Sequence, residues 1–280
     1  MLDLTIVIPV KNEARNLPGC LKAIGSGFAK KIVVVDSGST DETPKIARNF
    51  GADYLNFEWN GKFPKKRNWF LRNHKPETSW VFFLDADEYL TDSFKHELES
   101  ALSSKDKVGY WLNYSIYFLG KRLRGGYPLT KLALFRPDAG EYERIEEDNW
   151  SHMDMEIHEH PVLKGKTGVI KRKIDHRDFR GVGSYMDKHN AYASWEAARF
   201  ASMANDDQLK ESFTWKQKLK YKLMRSVFIG PVFFLGSFIF MGGFIDGRRG
   251  FVFALLKMAY FTQIYCRLRE IENETNELDQ

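Results

Sequence analysis

Asp85-Ala86-Asp87-Glu88 places three acids in four positions, directly after the apolar run Trp80-Val-Phe-Phe-Leu84. The run has the aromatic and β-branched character of a buried strand, so the acids mark where the chain leaves the core. In an extended segment residues i and i+2 point the same way, which aims Asp85 and Asp87 at one point in space. Two carboxylates converging there repel each other unless a cation sits between them. Hard oxygen donors suit Mg2+ or Mn2+, ions usually shared with substrate phosphates rather than caged by protein. An isolated D-x-D is more often a solvated acidic turn. Two upstream features favour the metal–diphosphate reading here: Asp36 closes a second apolar run, Lys31-Ile-Val-Val-Val35, and Lys65-Lys66-Arg67-Asn68 opens a helical stretch. Cations at a helix start oppose the helix dipole, and that local conflict points to an anionic partner such as a diphosphate.

A second acidic group, Asp154-Met-Glu156-Ile-His158-Glu159-His160, could supply a base. Inverting displacement at an anomeric carbon needs one group to take the proton of the attacking hydroxyl. The departing nucleoside diphosphate needs positive charge, which a bound cation supplies. Glu159 is the candidate base, with Glu156 and Asp154 as rivals that extended-chain alternation does not separate. The spacing of His158 and His160 is a weak zinc signal. His176 is a candidate third ligand of the acid-held cation, or else a structural histidine.

The elements that must position these residues follow from hydrophobic period. Leu4–Val10, Lys31–Val35, Asp53–Phe57 and Trp80–Leu84 read as strands, and Asn16–Ile24, Lys65–Asn73 and Ser93–Leu102 as helices. Thr43 is the expected cap of a helix beginning at Pro44, and Asp41 either contacts ligand or stabilises that helix terminus. Strands alternating with helices at this spacing imply βαβ units and a mostly parallel sheet. Ligands of such sheets bind outside the carboxyl ends of the strands, where Asp36 and Asp85 both fall. Gly109–Leu119 reads as one or two strands, Ser184–Met203 as helix, and residues 120 to 180 between them as mixed strands with an acceptor-side loop.

The chain of 280 residues has room for one large domain, or one domain and an appendage. Cys20 and Cys266 fit no metal or redox spacing, which implies a reducing compartment. No secretory signal opens the sequence, so the N-terminal domain is expected in the cytoplasm. The net charge of +5 is unevenly placed: Lys216, Lys218, Lys220, Lys222 and Arg225 cluster just before Ser226–Ile245, a stretch of 20 residues without a charge. Gly230-Pro231, Gly236 and Gly242-Gly243 interrupt that stretch, and basic residues flank both ends. The expected arrangement is two helices lying in or dipping into the cytoplasmic leaflet, with the basic cluster drawn to anionic lipid. A true span or a soluble dimerisation pair are the alternatives. Basic residues that border apolar helices, rather than interleave with stacking aromatics, exclude a nucleic-acid face.

Four motifs taken together resemble a family 2 glycosyltransferase of the GT-A fold. They are Ile8-Pro-Val-Lys-Asn-Glu13, Val34-Val-Asp36-Ser-Gly-Ser-Thr-Asp41, Lys66-Arg67-Asn68 and Leu84-Asp85-Ala-Asp87-Glu88. Gly125-Gly126-Tyr127, Leu134-Phe-Arg136, Ile157-His158-Glu159 and His176 are similar to the branch containing lipopolysaccharide inner-core β-1,4-glucosyltransferases. The resemblance implies a GT-A domain over residues 1–205 and a helical membrane-associating region over 206–280. It places Pro9, Glu13, Asp36, Asp41, Lys66, Arg67, Asn68, Asp85, Ala86 and Arg136 around the nucleotide sugar. Asp87 and His176 would hold Mg2+ or Mn2+, and Glu159 would be the base. The implied activity is transfer of a hexose, glucose foremost, from a UDP-sugar to a lipid-linked saccharide at the cytoplasmic face of the plasma membrane, by a peripheral or monotopic enzyme. Pro64 departs from the Gly usual in the branch. A nucleotidyltransferase would carry a Gly-rich loop where Lys11-Asn-Glu-Ala stands, and a non-catalytic membrane adaptor would not need Asp36, Asp85, Asp87 and Glu159 intact.

Overall fold

In the computed structural model, which describes residues 1–148, 150–155, 160–204, 219 and 222–278, two compact units are present. Residues 1–117 with 128–179 form the first, and 118–127 with 180–280 the second. The chain begins β1 (Leu2–Val10), α1 (Leu17–Ile24), β2 (Ala29–Asp36), α2 (Thr43–Asn49), β3 (Asp53–Asn56), α3 (Lys66–Asn73) and β4 (Trp80–Phe83). It continues through β5 (Glu88–Tyr89), α4 (Asp92–Leu102), β6 (Gly109–Phe118), β7 (Lys121–Arg122) and β8 (Thr130–Phe135). Then come β9 (Gly140–Tyr142), β10 (Pro161–Leu163) and β11 (Thr167–His176).

The central strands are buried on both faces. Leu4, Ile6, Ile8, Val34, Trp80 and Phe82 pack into one cluster, while Val7, Val33, Val35, Val81 and Phe83 pack into the other. A strand covered on both sides needs apolar residues at both parities, so it reads as a continuous apolar run. Each large side chain removed from water this way contributes about 2 kcal/mol. α1 buries Leu17, Cys20, Leu21 and Ile24, one helical face, and stops at Gly25, whose φ of 82° a residue with a Cβ rarely adopts.

Strand order is β3-β2-β1-β4-β8-β6-β11-β5. The first four strands are mutually parallel. β8 then runs antiparallel to both its neighbours, β4 and β6, while β11 is parallel to β6. The sheet is therefore mixed α/β and mostly parallel, as expected, with one reversed strand inside it. That reversal has a geometric consequence. The carboxyl ends of β1, β2, β4 and β11 share an edge with the beginning of β8, and the end of β8 lies at the opposite edge.

The second unit holds α5 (Gly181–Ala204), α6 (Ile229–Leu235) and α7 (Gly247–Leu278), with a π-helical turn at Gly236–Phe240 and a 3₁₀ turn at Gly243–Asp246. α5 and α6 both pack along α7. Tyr260, Ile264 and Leu268, spaced four apart on one face of α7, meet Ala193, Ala197 and Phe200 of α5. α5, placed by sequence with the sheet, thus belongs to the helical unit. Among the described residues no single helix is long and apolar enough to cross a membrane, and the pair Ile229–Phe240 and Gly243–Glu274 is bent by 72°. Lys216, Lys218 and Lys220 lie outside the described residues.

Candidate active site

The acidic stretch after β4 is a tight turn, not an extended segment. The Glu88 amide donates to the Asp85 carbonyl at 2.9 Å, and the Glu88 carboxylate accepts from the Asp85 amide at 3.2 Å. Chain reversal, rather than strand alternation, gathers the acids, and the methyl of Ala86 is driven into the core instead of toward a ligand. The Asp85 carboxylate accepts from Arg67 Nη2 at 2.9 Å and from Lys131 Nζ at 2.6 Å. Lys131 also donates to Glu88 at 2.5 Å, and Glu88 is wholly buried. Burial pushes the Glu88 carboxyl up to about 7 against the pull of the lysine. Burial also disfavours the Lys131 ammonium, but Asp85 and Glu88 outweigh it and keep Lys131 protonated.

Asp87, also buried, carries its Oδ2 3.6 Å from His176 Nε2. Register explains the meeting: β11 ends at the site edge, and its last residue, His176, pairs with Glu88 across β5. Asn16 fixes the approach of the segment that follows. Its amide donates to Glu13 at 2.8 Å and Asp178 at 3.1 Å, and its carbonyl accepts from the Phe179 amide at 2.9 Å. Under this array sits Cys20, whose thiol is pushed well up by burial and then by Glu88, Asp87, Asp85 and Glu13. Four carboxylates thus act on one point.

The cations opening α3 have found carboxylates within the protein. Lys65 is paired with buried Glu147, Lys66 with Asp154 at 3.3 Å, and Arg67 with Asp85. Lys66 also donates to the Val10 carbonyl at 2.9 Å, pinning the end of β1. The conflict with the helix dipole seen in the sequence is therefore answered internally. Asn68 donates to the Tyr142 carbonyl and accepts from the Tyr142 amide, both at 2.9 Å, so its side chain braces β9.

At the end of β2, Asp36 accepts from the Ser39 amide at 3.0 Å, the Ser39 hydroxyl at 2.7 Å and the Tyr54 hydroxyl at 2.8 Å. Asp41 steadies the start of α2: it accepts from the Thr43 amide and the Ala14 amide, both at 3.0 Å. Thr43 is not the cap but the first residue of α2, which follows Glu42, and its hydroxyl accepts from the Glu13 amide at 2.8 Å. Pro9, buried in β1 opposite Val35, lies one residue inside this rim.

One predicted ligand is misplaced. Arg136 follows β8, donates to the carbonyls of Lys107 and Ser104, and covers the Trp80 ring at 4.6 Å. Trp80 begins β4, so Arg136 sits at the far edge, roughly 16 Å of strand away from Asp85. It was the resemblance of Leu134-Phe-Arg136 to the branch that implied a nucleotide-sugar role for the arginine. The reversed β8 instead delivers Lys131, a residue the sequence reading passed over, and its only signal was a charge at the mouth of the apolar run Leu132–Phe135. Of the candidate bases, Asp154 is held by Lys66. Burial works to raise its pKa, but Lys66 and Ser37 outweigh burial and lower it, which makes it a weak base. Glu159, Glu156 and His158 lie outside the described residues.

The profile of the glycosyl transferase family 2 domain matches residues 5–158, more than half of the chain. The chain belongs to glycosyl transferase family 2. This family 2 glycosyltransferase is 26% identical over 282 residues to the lipopolysaccharide core biosynthesis glycosyltransferase LpsC of Rhizobium meliloti, covering 94% of this chain and 93% of that one. A TPR repeat-containing protein of Synechococcus elongatus is 32% identical over 110 residues, which span 39% of this chain but only 27% of that protein. Among solved structures, glucosyl-3-phosphoglycerate synthase from Mycobacterium tuberculosis, in complex with Mn2+, UDP and glucosyl-3-phosphoglycerate, aligns at a TM-score of 0.33 and 22% identity. That alignment covers 42% of this transferase and 44% of the synthase.

As a cation site the acids of this transferase fit in part. Among the described residues no three His, Cys, Asp or Glu stand ready to hold a metal ion. Asp87 and His176 offer one carboxylate and one imidazole, donor types that Mn2+ and Mg2+ accept, and such ions commonly complete their shell with phosphate oxygens and water.

Proposed function

We propose that this glycosyltransferase is inverting and metal-dependent, and that it moves a hexose, glucose foremost, from a UDP-sugar to a lipid-linked saccharide such as the lipopolysaccharide core. The observation that carries the reading is the acidic turn at the carboxyl edge of the sheet, with Asp87 beside His176 and Asp85 clamped by Arg67 and Lys131. The likeness to LpsC over nearly the whole of both chains supports the acceptor class. The workplace in this reading is the cytoplasmic face of the plasma membrane, with the second unit on the lipid surface.

Asp87 and His176 would hold Mg2+ or Mn2+, and a divalent ion there supplies positive charge to the diphosphate as it departs. Lys131 and Arg67 neutralise Asp85, so that its carboxylate stands at a diphosphate site without repelling the phosphates. Asp36, already oriented by Ser39 and Tyr54, meets the nucleoside. Glu159 takes the proton from the acceptor hydroxyl as its oxygen bonds to the anomeric carbon. The bond from that carbon to the diphosphate oxygen breaks at the same time, and its electron pair leaves with UDP. No covalent enzyme intermediate forms.

Release of UDP, measured with UDP-glucose, UDP-galactose and UDP-N-acetylhexosamines, identifies the donor. Chelation with EDTA should abolish turnover and Mn2+ or Mg2+ should restore it; turnover that persists in EDTA removes the role given to Asp87. Glu159→Gln should abolish transfer while UDP-sugar binding survives, and near-normal turnover in that variant would discard Glu159 as the base.

A further inference from the structure

The second unit carries a helical hairpin whose turn is both greasy and wired shut. Phe240 is 84% exposed, Phe244 57%, and Ile245 and Met241 are also exposed. α6 and the π-helical turn run from Ile229 to Phe240, about 18 Å at 1.5 Å per residue. The chain then bends by 72° across the break at Gly242, where φ is 75°, and α7 packs against α6. Since a bilayer's hydrocarbon is about 30 Å thick, an arm of this length can enter one leaflet and cannot cross.

A helix break immersed in lipid must satisfy its own backbone, and groups of this break are paired within the unit. The Met241 amide donates to the Gly236 carbonyl at 2.9 Å, and the Ile245 amide to the Gly242 carbonyl at 3.0 Å. The segment around β7 adds further bonds to the turn. The Gly126 amide donates to the Met241 carbonyl at 2.8 Å, while Asp246 accepts from the amides of Arg124 at 2.8 Å and Gly125 at 2.9 Å. The approach is close enough to require glycine. A Cβ on Gly125 would lie 2.0 Å from the Gly242 carbonyl oxygen, and one on Gly250 would lie 1.9 Å from that of Gly243.

The segment bolted to the turn is basic. Lys121 and Arg122 are exposed on β7, and exposed Arg248 opens α7. Residues 118–127 and 229–256 hold five basic residues, Lys121, Arg122, Arg124, Arg248 and Arg249, against one acid, Asp246, which is itself engaged by the bonds above. An apolar turn alone would suit another protein equally well. An apolar turn with a collar of cations beside it suits acyl chains with phosphate headgroups above them.

We propose that this hairpin is a monotopic docking wedge for an anionic bilayer. Phe240, Met241, Phe244 and Ile245 enter the acyl region, while Lys121, Arg122 and Arg248 take lipid phosphates. The inference rests on the membrane-surface reading above and deepens it by assigning the residues that make the contact.

The test is co-flotation of the full chain with vesicles of phosphatidylcholine alone or mixed with phosphatidylglycerol, with thermal melting as a control for folding. Wild type should float with the anionic vesicles and be partly released by high salt. Lys121→Glu with Arg122→Glu should weaken anionic binding on the order of 10- to 30-fold and reduce its salt sensitivity. Phe240→Ser with Phe244→Ser should remove flotation with either vesicle, at unchanged melting temperature and unchanged UDP release. If both double variants float like wild type, the wedge is wrong while the membrane reading stands. If wild type does not float at all, both fail. If wild type self-associates without lipid and the serine variant is a monomer, the face belongs to a second copy and the wedge is again overturned.

Discussion

Lys131, in β8, and Arg136, just after it, are two cations placed at opposite edges of one sheet. The first closes an ion pair with Asp85 and Glu88 in the middle of the acidic rim. The second stacks on Trp80 where β4 begins and touches none of those acids. Both have the same sign of charge and the same apolar run between them. What separates their roles is the direction in which β8 enters the sheet, since an antiparallel strand presents its beginning where its neighbours present their ends. A basic residue near a strand end is therefore a ligand candidate only once the strand's direction is known.

Breaking the near edge should have the largest effect. Lys131→Met leaves Asp85 and buried Glu88 without their shared cation, and is expected to cost about 3 kcal/mol of stability and on the order of 100-fold in transfer. Lys131→Arg should recover part of both. Denaturant midpoints and UDP release measure the two effects separately. Activity retained in a stably folded Lys131→Met protein would mean that Asp85 needs no clamp.

A smaller effect is expected at the neighbouring pair, Lys66 with Asp154. The Asp154 carboxyl sits below its ordinary 3.8 because Lys66 and Ser37 outweigh the contrary push of burial. Its contribution is complete above that ordinary value and is lost as pH falls through the lower folded-state value. Asp154→Asn should thus melt earlier than wild type at neutral pH by about 2 kcal/mol, with the two melting curves converging in acid. A gap that widens in acid would reverse the sign of the shift.

The far edge should give the smallest response. Arg136→Met removes a cation from the face of Trp80 and two bonds to loop carbonyls, a loss of about 1 kcal/mol, with transfer unchanged. A selective loss of UDP-sugar affinity in that variant would return Arg136 to the site and erase the contrast between the strand's two ends.

The same lesson holds beyond β8. Residues 2 to 90 were legible because each βαβ unit is local: the strands lie at hydrophobic period, helices join them, and right-handed parallel crossovers leave little choice of edge. Asp36 and Asp85 could be assigned to one rim from that alone. The basic start of α3 was legible as a conflict with the helix dipole but not in its resolution, because Glu147, Asp154 and Asp85 arrive there from distant segments. Likewise Gly242-Gly243 read as a break in the apolar stretch, and only the structure shows why Gly125 is glycine: a Cβ there would strike the Gly242 carbonyl.

By itself, then, the order of residues determined the kind of sheet, the family, and the acids at its rim, since these depend on short-range period and on motifs a few residues long. Tertiary structure decided which way β8 runs, which carboxylate meets which cation, and which glycines must touch. Those depend on pairing between segments far apart in the chain, and no local pattern of residues encodes a distance across a sheet.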